Sequence, residues 1–347
     1  MSGRLKLRRG VVVAEEPLTV DVDGERRAAW ADAVLLGEMR EGDEVVVNVA
    51  AVDLELGSGG FDVVHVNLTR GLRASGDSRE HVMKLNYTSL QHPVDPLELP
   101  VRLSDAEGTK GASERVGRLM PVLVIPLHGH LAPAAWAVAQ DEPRRIGYVQ
   151  TGGGALPGSM SRDLAELRER GLICSHVTAA PAYGGEHEAL SVAGALDAAA
   201  QKLGWDTAIV GPGPGIIGSE TRLGHGGMAA LDSAHASLAL GLPTMLSPRL
   251  SAADPRERHR EVSHHTLTVM QMLLGAVEIA VPAGNPVVMA QLAEASAWRH
   301  KLQEAPADLA GYAASGLPSR TMGRSLDEDP LFFAAPLAAG VALRREE

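Results

Sequence analysis

The sequence predicts an α/β protein in which a small β-barrel-like domain precedes a doubly wound, mostly parallel sheet with helices on both faces. Two observations support this prediction. Residues 1–95 consist of short apolar segments separated by turn signals, whereas apolar strands alternate with helical segments from Met120 onward. Strand–helix alternation is typical of parallel sheets. We therefore predict a barrel-like domain at 1–95, a linker at 96–119 and an α/β domain at 120–347.

The barrel-like domain is predicted from its strands and turns. Residues 18–22 alternate apolar and polar side chains and run into Asp23-Gly24, a turn dipeptide. A second turn at 41–43 leads into residues 44–49. Further strands are expected at 5–14, 61–66 and 81–87. This spacing is typical of small closed barrels of the SH3 or OB type.

The α/β domain is predicted from continuous apolar runs such as Pro121–Leu127, which suit a strand buried on both faces. Strands are expected at 121–127, 145–150, 207–210, 243–247 and 277–281, and helices at 132–140, 161–170, 191–203, 226–240 and 266–274. Ligands of doubly wound sheets bind at the carboxyl ends of the strands. The loops after these strands are therefore where we expect a functional site.

Composition limits the function classes. The chain has 347 residues, which suggests about two domains at roughly 100–200 residues each. Lys and Arg number 32 against 43 Asp and Glu, and a net charge of −11 argues against general nucleic-acid binding. Cys174 is the one cysteine in the sequence, so an intrachain disulfide is excluded. These features fit a reducing cytosol.

Localisation is predicted from the lack of membrane and targeting segments, and assembly from the frequency of dimers among soluble proteins. The sequence has no apolar run near the ~20 residues that span a membrane, so we expect no membrane segment. The basic start runs directly into valines and Glu15-Glu16, unlike a signal peptide. We therefore expect a cytoplasmic protein. The frequency of two-fold oligomers among soluble proteins is the only ground for expecting a homodimer.

A His-x-His pair follows the first predicted strand of the α/β domain. On an extended chain His128 and His130 point to the same side, where two imidazoles suit a divalent metal or acid–base chemistry. The alternative is that each histidine forms a local hydrogen bond to nearby backbone.

Two Gly-rich segments follow further strands, at 151–158 and 211–227. Backbone N–H groups in such turns cradle anions, whereas tight turns alone also need glycine. The residues predicted to contact a ligand there are Gly153, Gly154, Gly213, Gly215, Gly218 and Thr221.

Two polar segments add charged candidates. In the segment 184–188, Gly185 and Glu186 suit a ligand contact and a general base or metal ligand, or simply a charged helix N-terminus. Further along, Arg256 suits a phosphate or carboxylate, and His264 follows a predicted N-cap, Ser263. Because His264 and His265 are adjacent, we expect them to point in different directions, so that at most one serves a given site.

Together these segments predict one crevice that binds a small anionic ligand. His128, His130 and Glu186 are the predicted catalytic residues, with a divalent metal on His128 and His130. Metal-assisted hydrolysis or group transfer is the predicted chemistry. A non-catalytic ligand-binding or regulatory module is the alternative, and a structural protein whose glycines serve dimer packing is a third.

The sequence also resembles a known family. The segments that carry the resemblance are LHGHLAP (127–133), GGGALP (152–157), YGGEHEA (183–189), GPGIIGSETRLG (213–224), DPRERH (254–259) and SHHT (263–266). They are similar to the bacterial domain-of-unknown-function family numbered 3866, over nearly the whole chain. The resemblance implies a soluble bacterial protein and no particular activity.

A fainter similarity covers Asp206 to Pro286, whose order of strand, Gly-rich loop, helix and later Pro-x-Gly-Asn-Pro is similar to part of the substrate-binding component of glycine and proline reductases. Those proteins carry a selenocysteine in that loop. The corresponding place here is near Pro214 and has no cysteine, so the resemblance implies a shared scaffold and not reductase chemistry.

Overall fold

The computed structural model describes residues 4–56, 59–73, 80, 82–98 and 119–344. Contacts divide the chain into two units, Met1–His81 and Val82–Glu347. Most of the predicted linker at 96–119 lies outside the described residues, and so does position 81 of the strand predicted at 81–87. The domain ranges predicted from the sequence therefore stay predictions.

The first unit is a closed five-stranded barrel, which confirms the predicted barrel-like fold. Its strands are β1 (Leu7–Glu15), β2 (Leu18–Val22), β3 (Glu25–Trp30), β4 (Glu44–Asn48) and β5 (Asp62–Asn67), and they pair in the order β1-β2-β3-β5-β4. Two short helices, α1 (Ala33–Leu36) and α2 (Ala50–Asp53), lie between strands. Alternate valines fill the barrel, including Val12, Val20 and Val47, as the side-chain period of strands requires.

A small hairpin begins the second unit. Its strands β6 (Val82–Lys84) and β7 (His92–Val94) pair with each other. The buried Lys84 donates hydrogen bonds from Nζ to the carbonyl oxygens of Thr178 and Ala182, each at 2.7 Å, and forms an ion pair with Glu188. These bonds attach the hairpin to the large sheet of this unit.

The second unit contains an eight-stranded parallel sheet. Its strands are β8 (Val122–Val124), β9 (Ile146–Thr151), β10 (Ser175–Ala179), β11 (His187–Ala189), β12 (Thr207–Pro212), β13 (Thr244–Leu246), β16 (Glu278–Pro282) and β17 (Lys301–Ala305). Two short antiparallel pairs lie outside it, β14 (Leu250–Ser251) with β15 (Glu261–Val262) and β18 (Arg320–Thr321) with β19 (Arg324–Ser325). The order in the sheet is β11-β10-β9-β12-β8-β13-β16-β17.

Helices cover both faces of this sheet, so the predicted doubly wound α/β fold is confirmed. One face packs against α5 (Val192–Ala198), α6 (Ala229–Ala239), α7 (His264–Met272) and α8 (Pro286–Ser296). The other packs against α3 (Leu131–Val138), α4 (Arg162–Glu169), α9 (Leu309–Ala314) and α10 (Pro330–Arg344). The apolar strands are buried between two helical layers.

The segment 184–188 does not begin a helix, although a charged helix N-terminus was one of the two predictions for it. Residues His187–Ala189 instead form β11, which pairs in parallel with β10. The next helix begins only at Val192, where the Ser191 side chain accepts a hydrogen bond from the backbone N–H of Gly194. The Ser191 hydroxyl therefore caps this helix, because it accepts a hydrogen bond from a backbone N–H of the first turn.

The order of the strands determines where a crevice forms. The chain leaves β8 toward β9, β10 and β11, returns to place β12 beside β8, and then continues through β13 on the other side of β8. The direction of strand addition therefore reverses around β8. Such a reversal leaves a crevice at the carboxyl ends of the strands that flank it.

Candidate functional site

A cavity of about 600 Å³ lies at this point of reversal. Loops that follow β8, β12 and β13 form its walls, together with the start of α7 and the β18–β19 turn. Six residues predicted from the sequence line it: His128, Gly215, Gly218, Thr221, Arg256 and His264. Several of the loops that were predicted to meet in one crevice therefore line one cavity.

The other predicted residues lie elsewhere. Among the described residues, those that do not line the cavity are His130, Glu186, Gly153, Gly154, Gly185 and Gly213. Glu186 instead forms a surface ion pair with Arg168 at 2.6 Å, and Gly185 donates its N–H to the Thr178 hydroxyl at 3.1 Å. Catalysis by Glu186 stays a prediction without support from this cavity.

His128 lines the cavity, but both of its ring nitrogens have partners within the protein. Nδ1 donates to the carbonyl of Pro212 at 3.3 Å, which leaves Nε2 to accept a hydrogen bond from the Ser161 hydroxyl at 2.6 Å. Burial lowers the pKa of His128 to about 4. The ring is therefore neutral near pH 7, and its lone pair is already engaged.

His130 does not face the same way as His128. Residues His128–His130 form a 3₁₀ turn and not an extended strand, so side chains two positions apart diverge. The His130 ring packs edge-on against Phe332, and its Nδ1 is 3.0 Å from the Ser247 hydroxyl. The expectation that His128 and His130 point to the same side of an extended chain is therefore wrong. A metal bound by these two residues stays a prediction.

The Gly-rich loops pack on each other. A Cβ atom on Gly154 would come within 2.1 Å of the Gly213 carbonyl oxygen, and one on Gly226 within 1.8 Å of the Gly153 carbonyl oxygen. Ala155 also donates its N–H to the Pro214 carbonyl at 2.7 Å. Close approach of two backbones accounts for these glycines, whereas Gly215 and Gly218 remain at the cavity wall.

Four histidines form a compact cluster at one side of the cavity: His225, His259, His264 and His265. The His225 and His265 rings stack at 3.6 Å, and the His264 and His265 rings lie 4.4 Å apart. His264 and His265 both line the cavity, whereas at most one of them was expected to serve a given site, and that expectation stays a prediction. They occupy the first turn of α7, where successive side chains diverge by only about 100°.

The predicted N-cap of α7 is confirmed. The Ser263 side chain accepts a hydrogen bond from the backbone N–H of His265 at 3.2 Å and lies 2.7 Å from Nδ1 of His259. One hydroxyl thus fixes both the start of the helix and the orientation of a neighbouring ring.

Burial governs the protonation of this cluster. Desolvation is the largest cause in each case, and the nearby Arg249 charge adds to it; the pKa falls to about 3 for His259 and about 2 for His265. The pKa values of His225 and His264 are also lowered by burial. The cluster therefore presents neutral imidazoles near pH 7.

Arg256 is held by an internal carboxylate. Its guanidinium donates twice to Asp254, with both distances at 2.9 Å, and Asp254 is fully buried. The Arg256 side chain also lines the cavity. Its predicted role as an anion clamp is therefore limited to the part of the guanidinium that Asp254 leaves free.

Arg249 is the residue that the sequence reasoning missed. It follows β13, lines the cavity and is only 2% exposed. Its contact with Asp254 is long, at 3.5 Å, and its Nε is buried with no hydrogen-bond partner among the described residues. The sequence did contain a signal for Arg249, because it is a charged residue just after an apolar strand of a parallel sheet, where ligand-binding residues are expected.

A comparison with protein families decides the affiliation. The family described as Protein of unknown function (DUF3866) matches residues 28–340, most of the barrel and nearly all of the α/β unit. The chain belongs to the DUF3866 family. The resemblance seen in the sequence is thus confirmed, and the fainter similarity to reductase components stays a prediction.

Neither the curated proteins nor the solved structures include a match to the chain. In the described part of the chain, no helix combines the length and apolar character needed to cross a membrane.

Proposed function

We propose that the protein binds a small anionic molecule, through a phosphate or carboxylate group, in the cavity at the carboxyl ends of β8, β12 and β13. The observation that carries this proposal is the buried guanidinium of Arg249 at the cavity wall. The location supports it as well, since the cavity lies where the direction of strand addition reverses.

The charge of Arg249 is incompletely compensated. A buried charge is costly unless it is paired and hydrogen-bonded. Burial, followed by repulsion from Arg256, lowers the pKa of Arg249 to about 10, while Asp254 raises it less. Asp254 also serves Arg256 and Arg324. Besides Asp254, the Arg249 guanidinium has His265 Nδ1 as an acceptor, at 3.2 Å, but its Nε has none among the described residues. An anion in the cavity would add the negative charge that this guanidinium shares with two other arginines.

A second arginine supports the same ligand class. Arg258 lines the cavity and donates to Glu220 at 3.1 Å, but its Nε is buried without a partner in the described part of the chain. Guanidinium groups bind carboxylates and phosphates with paired, parallel hydrogen bonds. Arg249 and Arg258 thus both line the cavity, and each has one donor without a partner among the described residues.

The binding proposal is tested by thermal unfolding of the full chain in inorganic phosphate, in malonate and in sodium chloride of matched ionic strength. Phosphate stabilises many proteins without binding a site, so the diagnostic is the shape of the concentration dependence. Binding at one site stabilises the native state in proportion to the logarithm of ligand concentration above Kd, by about 2.7 kcal/mol at 100 times Kd. We expect this logarithmic stabilisation from at least one of the two anions, beyond the effect of sodium chloride.

Arg249→Gln should abolish this logarithmic response, and the exposed Arg26→Gln on the barrel should retain it as the charge-matched control. If Arg249→Gln unfolds, Arg258→Gln takes its place, because Arg258 is partly exposed. An equal response in wild type and both cavity variants would contradict the proposal, as would a response to both anions no larger than that to sodium chloride.

Hydrolysis or group transfer is the second candidate, and Asp163 is the observation that favours it. This carboxyl lines the cavity near the start of α4, and burial, with repulsion from Glu166, raises its pKa. A carboxyl with a raised pKa in a cavity suits general acid–base chemistry. Turnover of p-nitrophenyl phosphate that Asp163→Asn abolishes would favour an enzyme; anion binding without turnover would favour a binding module.

A further inference from the structure

The histidine cluster holds imidazole nitrogens at metal-binding spacing. His225, His264 and His265 each offer a ring nitrogen, and these three atoms all lie within 4.8 Å of one another. All three side chains line the cavity. They come from two parts of the chain: His225 from the loop after β12, and His264 and His265 from the first turn of α7.

We propose that His225, His264 and His265 bind one divalent transition metal, with Zn²⁺ as the first candidate. Imidazole suits zinc, copper, iron and nickel. Three protein ligands with a further position open toward a cavity are the arrangement of catalytic rather than structural zinc. The proposal goes beyond the anion site, because its donors are neutral rings and not arginines.

His225 has the hydrogen bonding of a metal ligand. Its Nε2 donates to the backbone carbonyl of Arg222 at 3.0 Å, which leaves Nδ1 without a proton. That Nδ1 is buried and has no partner among the described residues. Metal-bound histidines usually donate their other N–H to a carbonyl or carboxylate in this way, which fixes the tautomer.

His264 offers a second unused nitrogen, since its Nε2 is also buried without a partner in the described part of the chain. A buried polar atom that lacks a hydrogen bond calls for an explanation. Two such atoms, on rings 5.5 Å apart between centroids, are explained together by one ion between them.

His265 completes the set. Its Nδ1 accepts a hydrogen bond from Arg249 at 3.2 Å, which is at the long end of the normal range. A metal on Nδ1 would replace this hydrogen bond. Ligand nitrogens around one zinc at about 2.1 Å lie roughly 3.4 Å apart. The three nitrogens must therefore draw together from their present spacing, and the stacked rings of His225 and His265 must tilt so that both face the ion.

A bound metal would add chemistry that the protein alone lacks. It would polarise an oxygen of an anionic ligand or lower the pKa of a bound water. The carboxylates and arginines of the cavity wall would then orient the ligand beside it. The three-histidine set replaces the metal position predicted on His128 and His130.

The test uses the untagged full chain, treated with chelator, dialysed into chloride buffer without phosphate, and titrated with Co²⁺ or Zn²⁺ alone. We expect one metal per chain by elemental analysis after gel filtration, and the visible absorption of tetrahedral cobalt. Losing a hydrogen-bond partner of a metal ligand costs ~10–100-fold in affinity, so His225→Gln and His264→Gln should each lose at least ~100-fold.

His65→Gln on the barrel is the control and should keep the metal, and His128→Gln tests the metal position predicted from the sequence and should keep it too. If His225→Gln does not fold, His264→Gln decides the question, because His264 is partly exposed. A wild type without metal overturns the proposal, and so does metal retained in His264→Gln or lost in His128→Gln. Since neither phosphate nor malonate is present, these outcomes are separate from those of the Arg249 experiment.

Discussion

The rings of His225 and His265 lie face to face, with centroids 3.6 Å apart and planes 6° apart. Two protonated imidazoles at this distance would repel, so the stack needs neutral rings. Gly227 lies against this pair, and a Cβ at that position would come within 3.0 Å of His225 Nδ1 and 3.2 Å of His265 Nδ1. The small residue thus leaves room for both nitrogens, which a methyl group would crowd.

Gly227→Ala is expected to weaken Zn²⁺ binding, because the added methyl group crowds the two nitrogens. The fold should tolerate the change better than the site does. The measurement is Zn²⁺ affinity together with urea unfolding. Gly218→Ala is the matched control in the same loop, since its Cβ would make only an ordinary 3.5 Å contact with His225. Equal Zn²⁺ affinities in the two variants would argue against the role of Gly227.

Gly154→Ala is expected to destabilise the second unit, because its Cβ would lie 2.1 Å from the Gly213 carbonyl oxygen. Overpacking of this kind costs about 1–3 kcal/mol, and a backbone neighbour cannot rotate away. The free energy of unfolding measured in urea checks it, again with Gly218→Ala for comparison. A loss below that of Gly218→Ala would show that the two loops separate more easily than their packing indicates.

The buried histidines predict that stability falls on acidification. Burial, followed by the Arg249 charge, lowers the pKa of His130 to about 3. Below the unfolded-state pKa near 6.5, the unfolded chain therefore binds a proton that the folded chain does not. Each such group removes about 2 kcal/mol between pH 7 and pH 5.

His130→Phe should flatten this pH dependence, even if it changes stability at pH 7. The ring is fully buried, packs against Phe332 and lies beside Ser247 and Arg249, so its protonation has no local compensation. Urea unfolding at pH 7, 6 and 5 checks the slope, and His65→Gln on the barrel should leave it unchanged. An identical slope in His130→Phe would mean that His130 is protonated in the folded protein.

We expect a second loss of stability at lower pH, caused by protonation of Asp254. Burial alone would raise its pKa, but hydrogen bonds from Arg256 outweigh burial and hold the pKa well below its ordinary value. Its contribution is therefore present above the unfolded-state pKa near 3.9 and is lost as pH falls below it.

Asp254→Asn should remove this acid-sensitive contribution and destabilise the protein at pH 7 by about 3–5 kcal/mol, since buried arginines lose their carboxylate. Thermal unfolding at pH 7 and pH 3.5 measures both effects. Asp308→Asn, at the exposed start of α9, is the control. A destabilisation no larger than that of the control would show that Arg249 and Arg324 find other acceptors.

The sequence predicted those parts of the fold that have a strong period or an apolar run. The barrel strands and β8, β9, β12, β13 and β16 are of this kind. It did not predict β17, whose sequence KLQEA is mostly polar because the strand lies at the sheet edge. It also missed α10, which is apolar on all sides and contains Pro336. Pro330 after Asp329 was an available start signal.

A cavity lies where the sequence predicted a crevice, and six of the twelve predicted residues line it. The rule that ligands bind at strand ends led to the loops that carry His128, Arg256 and His264. It could not separate glycines that pack two loops together from glycines at the cavity wall, because both look alike in sequence. Nor could it identify Arg249, because the argument for this residue depends on the burial of its charge, which the sequence does not reveal.

The central position of β8 has a consequence for biogenesis. Its two neighbours in the sheet, β12 and β13, are both synthesised long after it. A ribosome-bound chain that ends before β13 therefore has β8 to β12 but lacks one wall of the crevice and all of α7. Because non-local pairing is slow, the histidine cluster should assemble only after α7 has been made, well after its first member, His225.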